Sequence, residues 1–153
     1  MKNPIIVTTL CYLEKNDSYL MLHRTKKEHD LNEGKWIGVG GHFEDGESPE
    51  ECIHREVLEE TGYTMHTVKL RGIITFCSPR APEEIMFLFT SDDFSGTEKI
   101  CDEGELCWIP KDQIMDLPLW EGDRVFLPML DTRAEVFSLK LIYDAEDHLI
   151  EIK

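Results

Sequence analysis

Three carboxylates carry the first chemical signal. Glu56, Glu59 and Glu60 stand at i, i+3 and i+4, so on a helix they project from one side. Like charges at that spacing repel, and a divalent cation relieves the conflict. Hard oxygen ligands suit Mg²⁺ or Mn²⁺ rather than zinc. Arg55 can hold Glu47 in a charge-assisted pair that ties the preceding loop to the helix. Gly40 and Gly41 let backbone approach a metal and its ligand where a Cβ would intrude. A Glu-x-x-Glu-Glu run by itself more readily describes a solvated helix face. The joint register of a glycine-rich loop, Glu47, Arg55-Glu56, Glu59-Glu60 and Gly62 favours a metal site.

A well-signposted helix must carry these groups. Ser48 is a suitable N-cap, Pro49 fits the first helical position, Glu51 completes a capping box and Gly62 supplies the stop. Ile53 and Val57, with Cys52 beside them, form a modest apolar stripe for the core side. Residues 4–13 and 18–23 are β-rich runs around the polar turn from Glu14 to Ser18 and predict a hairpin. Residues 24–35 read as a surface loop. Strands are expected over 66–76 and 85–91, with a loop from Cys77 to Pro82 between them, and a short strand from Leu106 to Ile109. Helical turns are expected from Lys111 to Met115 and from Asp123 to Leu130, with Asp123 as N-cap of the second. The alternation of residues 137–143 predicts a strand, which Leu149 to Ile152 can pair. Together these describe an α/β sandwich with a mixed sheet, formed by one domain over residues 1–153. Phe76, Phe87 and Phe89 read as strand core, Trp36 as packing beneath the glycine loop, and His23, His42 and His54 as structural or exposed.

Composition narrows the partners. With 16 basic and 31 acidic residues the formal net charge is −15, which argues against direct nucleic-acid binding. A phosphorylated small molecule remains compatible when a metal stands between carboxylates and phosphate. The five cysteines are scattered without a Cys-x-x-Cys pair, so a reduced, cytoplasmic setting is expected, with Cys52 and Cys107 as apolar fillers. The apolar stretch from Ile5 to Leu13 is too short to span a bilayer and has no cleavage pattern, so no membrane association is expected.

Gly41, Glu47, Arg55-Glu56, Val57, Glu59-Glu60, Thr61 and Gly62 together resemble the box of the Nudix family, with Tyr63 as a departure where an aliphatic residue is usual. The resemblance implies a Nudix-type α/β/α sandwich and Mg²⁺-dependent hydrolysis of a nucleoside diphosphate linked to another moiety, with Mn²⁺ as a substitute. It implies that Glu56 and Glu60 are metal ligands, that Glu59 is a ligand or holds the attacking water, and that the carbonyl of Gly40 or Gly41 completes the shell. Glu103 resembles the downstream acid of the MutT-type branch, a metal ligand or base, with Glu105 as a neighbouring alternative.

Leu20 to Arg24 and Gly34 to Gly41 are similar to MutT-like nucleoside triphosphate pyrophosphohydrolases, and Leu119 to Asp123 with Phe126-Leu127-Pro128 to oxidised-purine sanitising enzymes. That likeness implies Trp120 packing on a base, Asp123 hydrogen-bonding its edge, and Arg24 with Lys35 on the triphosphate. Gly122 and Ile37 depart from it, where related enzymes often carry a second carboxylate and an Asn. The implied reaction converts 8-oxo-dGTP to monophosphate and pyrophosphate by attack on the β-phosphorus. Two alternatives are hydrolysis of ADP-ribose or another nucleoside-diphosphate sugar, for which Pro79 is the sign, and a non-catalytic nucleotide sensor. A homodimer is compatible with the chain.

Overall fold

A computed structural model describes residues 4–26 and 31–153. Its strands are β1 (Ile6–Lys15), β2 (Ser18–His23), β3 (Trp36–Ile37), β4 (Tyr63–Ser78), β5 (Ala81–Gly96), β6 (Glu105–Pro110), β7 (Phe137–Tyr143) and β8 (Leu149–Ile152). Helix α1 (Pro49–Thr61) follows the glycine loop, and α2 (Asp123–Thr132) follows a 3₁₀ turn over Lys111–Asp116.

The strands form one mixed sheet in the order β3-β2-β1-β5-β4-β7-β8, with β6 on the other edge of β2. β1 runs parallel to β5 and β4 parallel to β7, while the remaining pairs are antiparallel. Side-chain alternation splits the core between the two faces. From β1, Cys11 and Leu13 join Phe89, Ile53 and Val57 beneath α1. Leu10 and Tyr12 join Met86, Leu88, Phe126 and Leu127 on the α2 side. Burying each such aliphatic or aromatic side chain stabilises by roughly 1.5–3 kcal/mol. The expected sandwich is therefore present, helix against sheet on both faces.

Several local expectations change. The first turn is only Asn16-Asp17, both at positive φ (52° and 60°), which is the backbone of a tight hairpin turn. β1 and β2 pair over just two positions, Glu14 with Tyr19 and Lys15 with Ser18. Beyond them β1 bonds the glycine loop instead, with Cys11 and Val39 exchanging both backbone hydrogen bonds at 2.7 and 3.0 Å. The loop expected from Cys77 to Pro82 shrinks to the turn Pro79-Arg80, because β4 and β5 extend into each other as a long hairpin. Pro79 is exposed there, a turn residue. Cys52 is buried as expected, but Cys107 is exposed; Cys11 and Cys101 are the other buried fillers. The expected surface loop lies partly outside the described residues. Among the described residues no helix is long and apolar enough to cross a membrane.

Candidate active site

Helix α1 begins as its sequence dictates. Ser48 Oγ accepts the Glu51 N–H at 3.1 Å, and Glu51 Oε1 accepts the Ser48 N–H at 2.9 Å. It ends at Gly62, whose φ of 84° is left-handed and whose N–H returns to the Leu58 carbonyl. The Tyr63 ring that follows packs edge-on against Phe94 and Trp108, and its hydroxyl reaches Glu98, so the departure at this position is accommodated by packing.

Arg55 is the hub of the acidic end. Its Nε and Nη2 grip both oxygens of Glu47 at 2.7 and 3.0 Å, and Nη2 also donates to the His42 carbonyl at 3.1 Å. This bidentate grip holds the Glu47 carboxyl down to about 2. Arg55 Nη1 takes one oxygen of Glu56 at 2.8 Å and one of Glu59 at 3.2 Å. The helical acids then part company. The Glu56 side chain is 15% exposed and that of Glu59 is 59% exposed, so Glu59 stands at the rim. Gly41 explains how Glu56 fits: a Cβ there would lie 2.7 Å from its carboxyl.

Glu60 is the most strained electrostatically. Burial, and then the neighbouring carboxyls of Glu103 and Glu56, push it up to about 10, and its Oε2 is buried without a hydrogen bond. Burial also raises Glu56, with Arg55 opposing. Glu103 arrives from the segment before β6 and is fixed by Arg24 Nη1 at 3.0 Å, while Lys26 Nζ bonds the nearby Cys101 carbonyl at 2.8 Å. Glu105 instead opens β6 opposite His23 and is exposed. The glycine carbonyls differ too. Gly41 O accepts the Thr9 N–H at 2.9 Å, so strand alternation turns the Gly40 carbonyl away from β1.

A second group lies on the α2 side. Asp123 is 5% exposed; it is the first residue of α2, not its cap, and makes no capping bond. Gly122 takes the cap position and gives its N–H to Tyr143 Oη at 2.6 Å. Any Cβ at 122 would collide with that hydroxyl, which accounts for the absence of a carboxylate there. Burial, then the charge of Glu84, pushes Asp123 up to about 7, against Lys35 and Arg124. Trp120 donates Nε1–H to Asn32 Oδ1 at 2.7 Å and meets the Tyr143 ring edge at 5.7 Å. Lys35 Nζ sits 5.2 Å over the Trp120 ring. Arg24 therefore lies with the acids and Lys35 with the aromatic group. Trp36 stacks on His23 at 4.4 Å, and Ile37 pairs with Leu22.

Comparison with known proteins decides the family: the model of the NUDIX domain matches residues 3–130. The chain belongs to the Nudix family. It is 32% identical over 120 residues to an uncharacterised Nudix hydrolase of Bacillus subtilis, covering 75% of this chain and 72% of that one. It is 33% identical over 105 residues to the oxidized purine nucleoside triphosphate hydrolase of Mus musculus, covering 68% and 67%. Its fold matches the crystal structure of a MutT protein from Bacillus halodurans with a TM-score of 0.86 at 27% identity, over 97% of this chain and 96% of the other.

Nudix hydrolases generally use divalent metal ions and act on small-molecule nucleotides. The acids of this Nudix hydrolase fit such an ion. A buried carboxylate oxygen without a partner, two further carboxyls crowding it and a glycine against Glu56 form an oxygen-only donor set. Among the described residues no three acidic, His or Cys side chains converge in chelating geometry. Sequence reasoning missed Asn32 and Tyr143. Each is remote in the chain from the group it supports, and only Asn32 had a signal, as punctuation in a loop.

Proposed function

We propose that this Nudix hydrolase cleaves oxidised purine nucleoside triphosphates such as 8-oxo-dGTP to the monophosphate and pyrophosphate, sanitising the nucleotide pool. The observation that carries the reading is Asp123, buried beside Trp120 and held able to donate as well as accept a hydrogen bond. A ring face with such a group at its edge suits a purine. The relationship to a mouse enzyme named for oxidised purine triphosphates supports the same class.

The acidic end divides the remaining work. Glu56, Glu60 and Glu103, with the Gly40 carbonyl, would hold Mg²⁺, or Mn²⁺ in its place. The ion supplies charge neutralisation on the phosphate chain and an acidified water. Gly41, pressed against Glu56, leaves room for that carboxyl. Glu59, exposed at the rim, orients the attacking water toward the β-phosphorus. Arg55 and Glu47 keep Glu56 and Glu59 in place through the bonds already described. Arg24 stands beside Glu103 where the triphosphate would cross, and Lys35 closes over the base side.

Product analysis with Mg²⁺ and 8-oxo-dGTP, dGTP and ADP-ribose tests this, with Glu59→Gln as the blank. The reading expects pyrophosphate released selectively from 8-oxo-dGTP. Preference for ADP-ribose with AMP as product, or silence on both triphosphates, would overturn it.

A further inference from the structure

We infer that Glu84 is a specificity residue which, with Asp123, selects purines whose edge presents a carbonyl acceptor beside N–H donors, the guanine type, over those presenting an amino group beside a bare ring nitrogen. This rests on the nucleotide reading above.

Strand geometry puts the Glu84 carboxyl on the sheet face that α2 covers. Glu84, Met86 and Leu88 alternate onto the same face of β5, and Met86 and Leu88 pack with Leu10, Tyr12 and Phe126 on the α2 side. Thr8, on the same face of β1 as Leu10 and Tyr12, donates its hydroxyl to Glu84 Oε2 at 2.6 Å and so fixes the carboxylate's direction. Glu84 pairs across the ladder with Phe76, whose ring lies 6.5 Å from Tyr143. Tyr143 in turn meets Trp120 and holds Gly122 beside Asp123. A chain of contacts thus runs from Glu84 to both residues of the base group. The Asp123 carboxyl also responds to the charge of Glu84, second only to burial.

The chemistry follows from the pair. A lone neutral carboxyl can donate to a ring nitrogen and accept from an amino group, so by itself it suits an adenine-type edge. The Glu84 carboxyl, oriented by the Thr8 hydroxyl it accepts, turns acceptor oxygens to the site, and beside a bare ring nitrogen these would repel a lone pair. Against a guanine-type edge it accepts the ring N–H and the amino N–H, while Asp123 donates to the carbonyl. Tyr143 prevents the helix from supplying that acceptor at position 122. The strand supplies it. The plain alternative is a half-exposed acid that merely satisfies Thr8, which would be indifferent to the base.

The test is kcat and KM with saturating Mg²⁺ for 8-oxo-dGTP and 8-oxo-dATP, on the wild type, Glu84→Gln, Glu84→Ala and Thr8→Val. Glu84→Gln should lower kcat/KM for 8-oxo-dGTP by about 10- to 100-fold, mostly through KM, and leave that for 8-oxo-dATP level or raised. Thr8→Val should shift the ratio in the same direction by less. An unchanged ratio, equal losses on both substrates, or a wild type that prefers the adenine nucleotide would overturn the inference alone. A wild type inactive on both would overturn the nucleotide reading and this inference with it.

Discussion

The acidic end of α1 and the Trp120–Asp123 group bury carboxyls for opposite reasons. In the first, Glu60 is crowded by Glu56 and Glu103, an arrangement that is unfavourable until a cation joins it. In the second, Asp123 is a single buried carboxyl that burial pushes up to about 7, so about half of it keeps its proton at neutral pH. One region crowds carboxyls that only a cation would let ionise together, and the other buries one carboxyl that can donate as well as accept a hydrogen bond. That division matches a substrate with a polyanionic chain at one end and a flat, neutral base at the other.

The largest effect should come from the acidic side. If Glu60 holds the metal as proposed, Glu60→Gln is expected to lower kcat on the order of 10³-fold. The same variant should raise the melting temperature of the metal-free protein at neutral pH. The unfolded Glu60 ionises near its ordinary 4.5, whereas the folded one keeps its proton up to about 10, so it opposes folding increasingly as pH rises between those values. Adding Mg²⁺ should raise the melting temperature of the wild type more than that of the variant. Thermal scans with and without chelator read both effects.

Arg55→Ala comes next. It removes the grip on Glu47 and the bonds to Glu56 and Glu59, and should cost about 10- to 100-fold in activity or metal affinity, measured by Mg²⁺ titration of the rate. Trp120→Ala should raise KM by about tenfold while kcat changes little, since stacking on a base is the interaction lost. Steady-state kinetics on 8-oxo-dGTP separate the two constants.

The smallest expected effect lies on the base side and is read in stability against pH. Between its ordinary 3.8 and about 7 the folded Asp123 keeps a proton that the unfolded chain has released, so stability falls as pH rises through that window. The contribution is on the order of 4 kcal/mol as an upper bound. Asp123→Asn should flatten that part of the profile, as denaturant unfolding from pH 4 to 8 would show.

The two regions also differ in how far the chain announces them. Ser48, Glu51, Arg55, Glu56, Glu60 and Gly62 interact across one or a few helical turns, so their spacing already states their geometry. The sandwich was legible from β-rich runs at β1 and β2, an alternating run at β7 and a capped helix. The base side draws Asn32, Lys35, Trp120, Asp123, Tyr143 and Glu84 from distant segments, and no local spacing encodes such a meeting. Family likeness pointed to Trp120 and Asp123, but not to Tyr143, whose hydroxyl requires Gly122. Lys35 was expected on the phosphates, and its Nζ lies over the Trp120 ring. The turn at Pro79-Arg80 escaped notice because proline, serine and arginine there looked like a longer loop, whereas ladder pairing carries both strands to the tip.

One kinetic series tests this division of labour most directly: 8-oxo-dGTP hydrolysis at saturating Mg²⁺ by the wild type, Glu56→Gln and Trp120→Ala. The account predicts that Glu56→Gln loses kcat by orders of magnitude, while Trp120→Ala keeps kcat within a few-fold and loses KM. A Trp120→Ala variant that loses kcat as deeply as Glu56→Gln, or a Glu56→Gln variant that keeps it, would contradict the account.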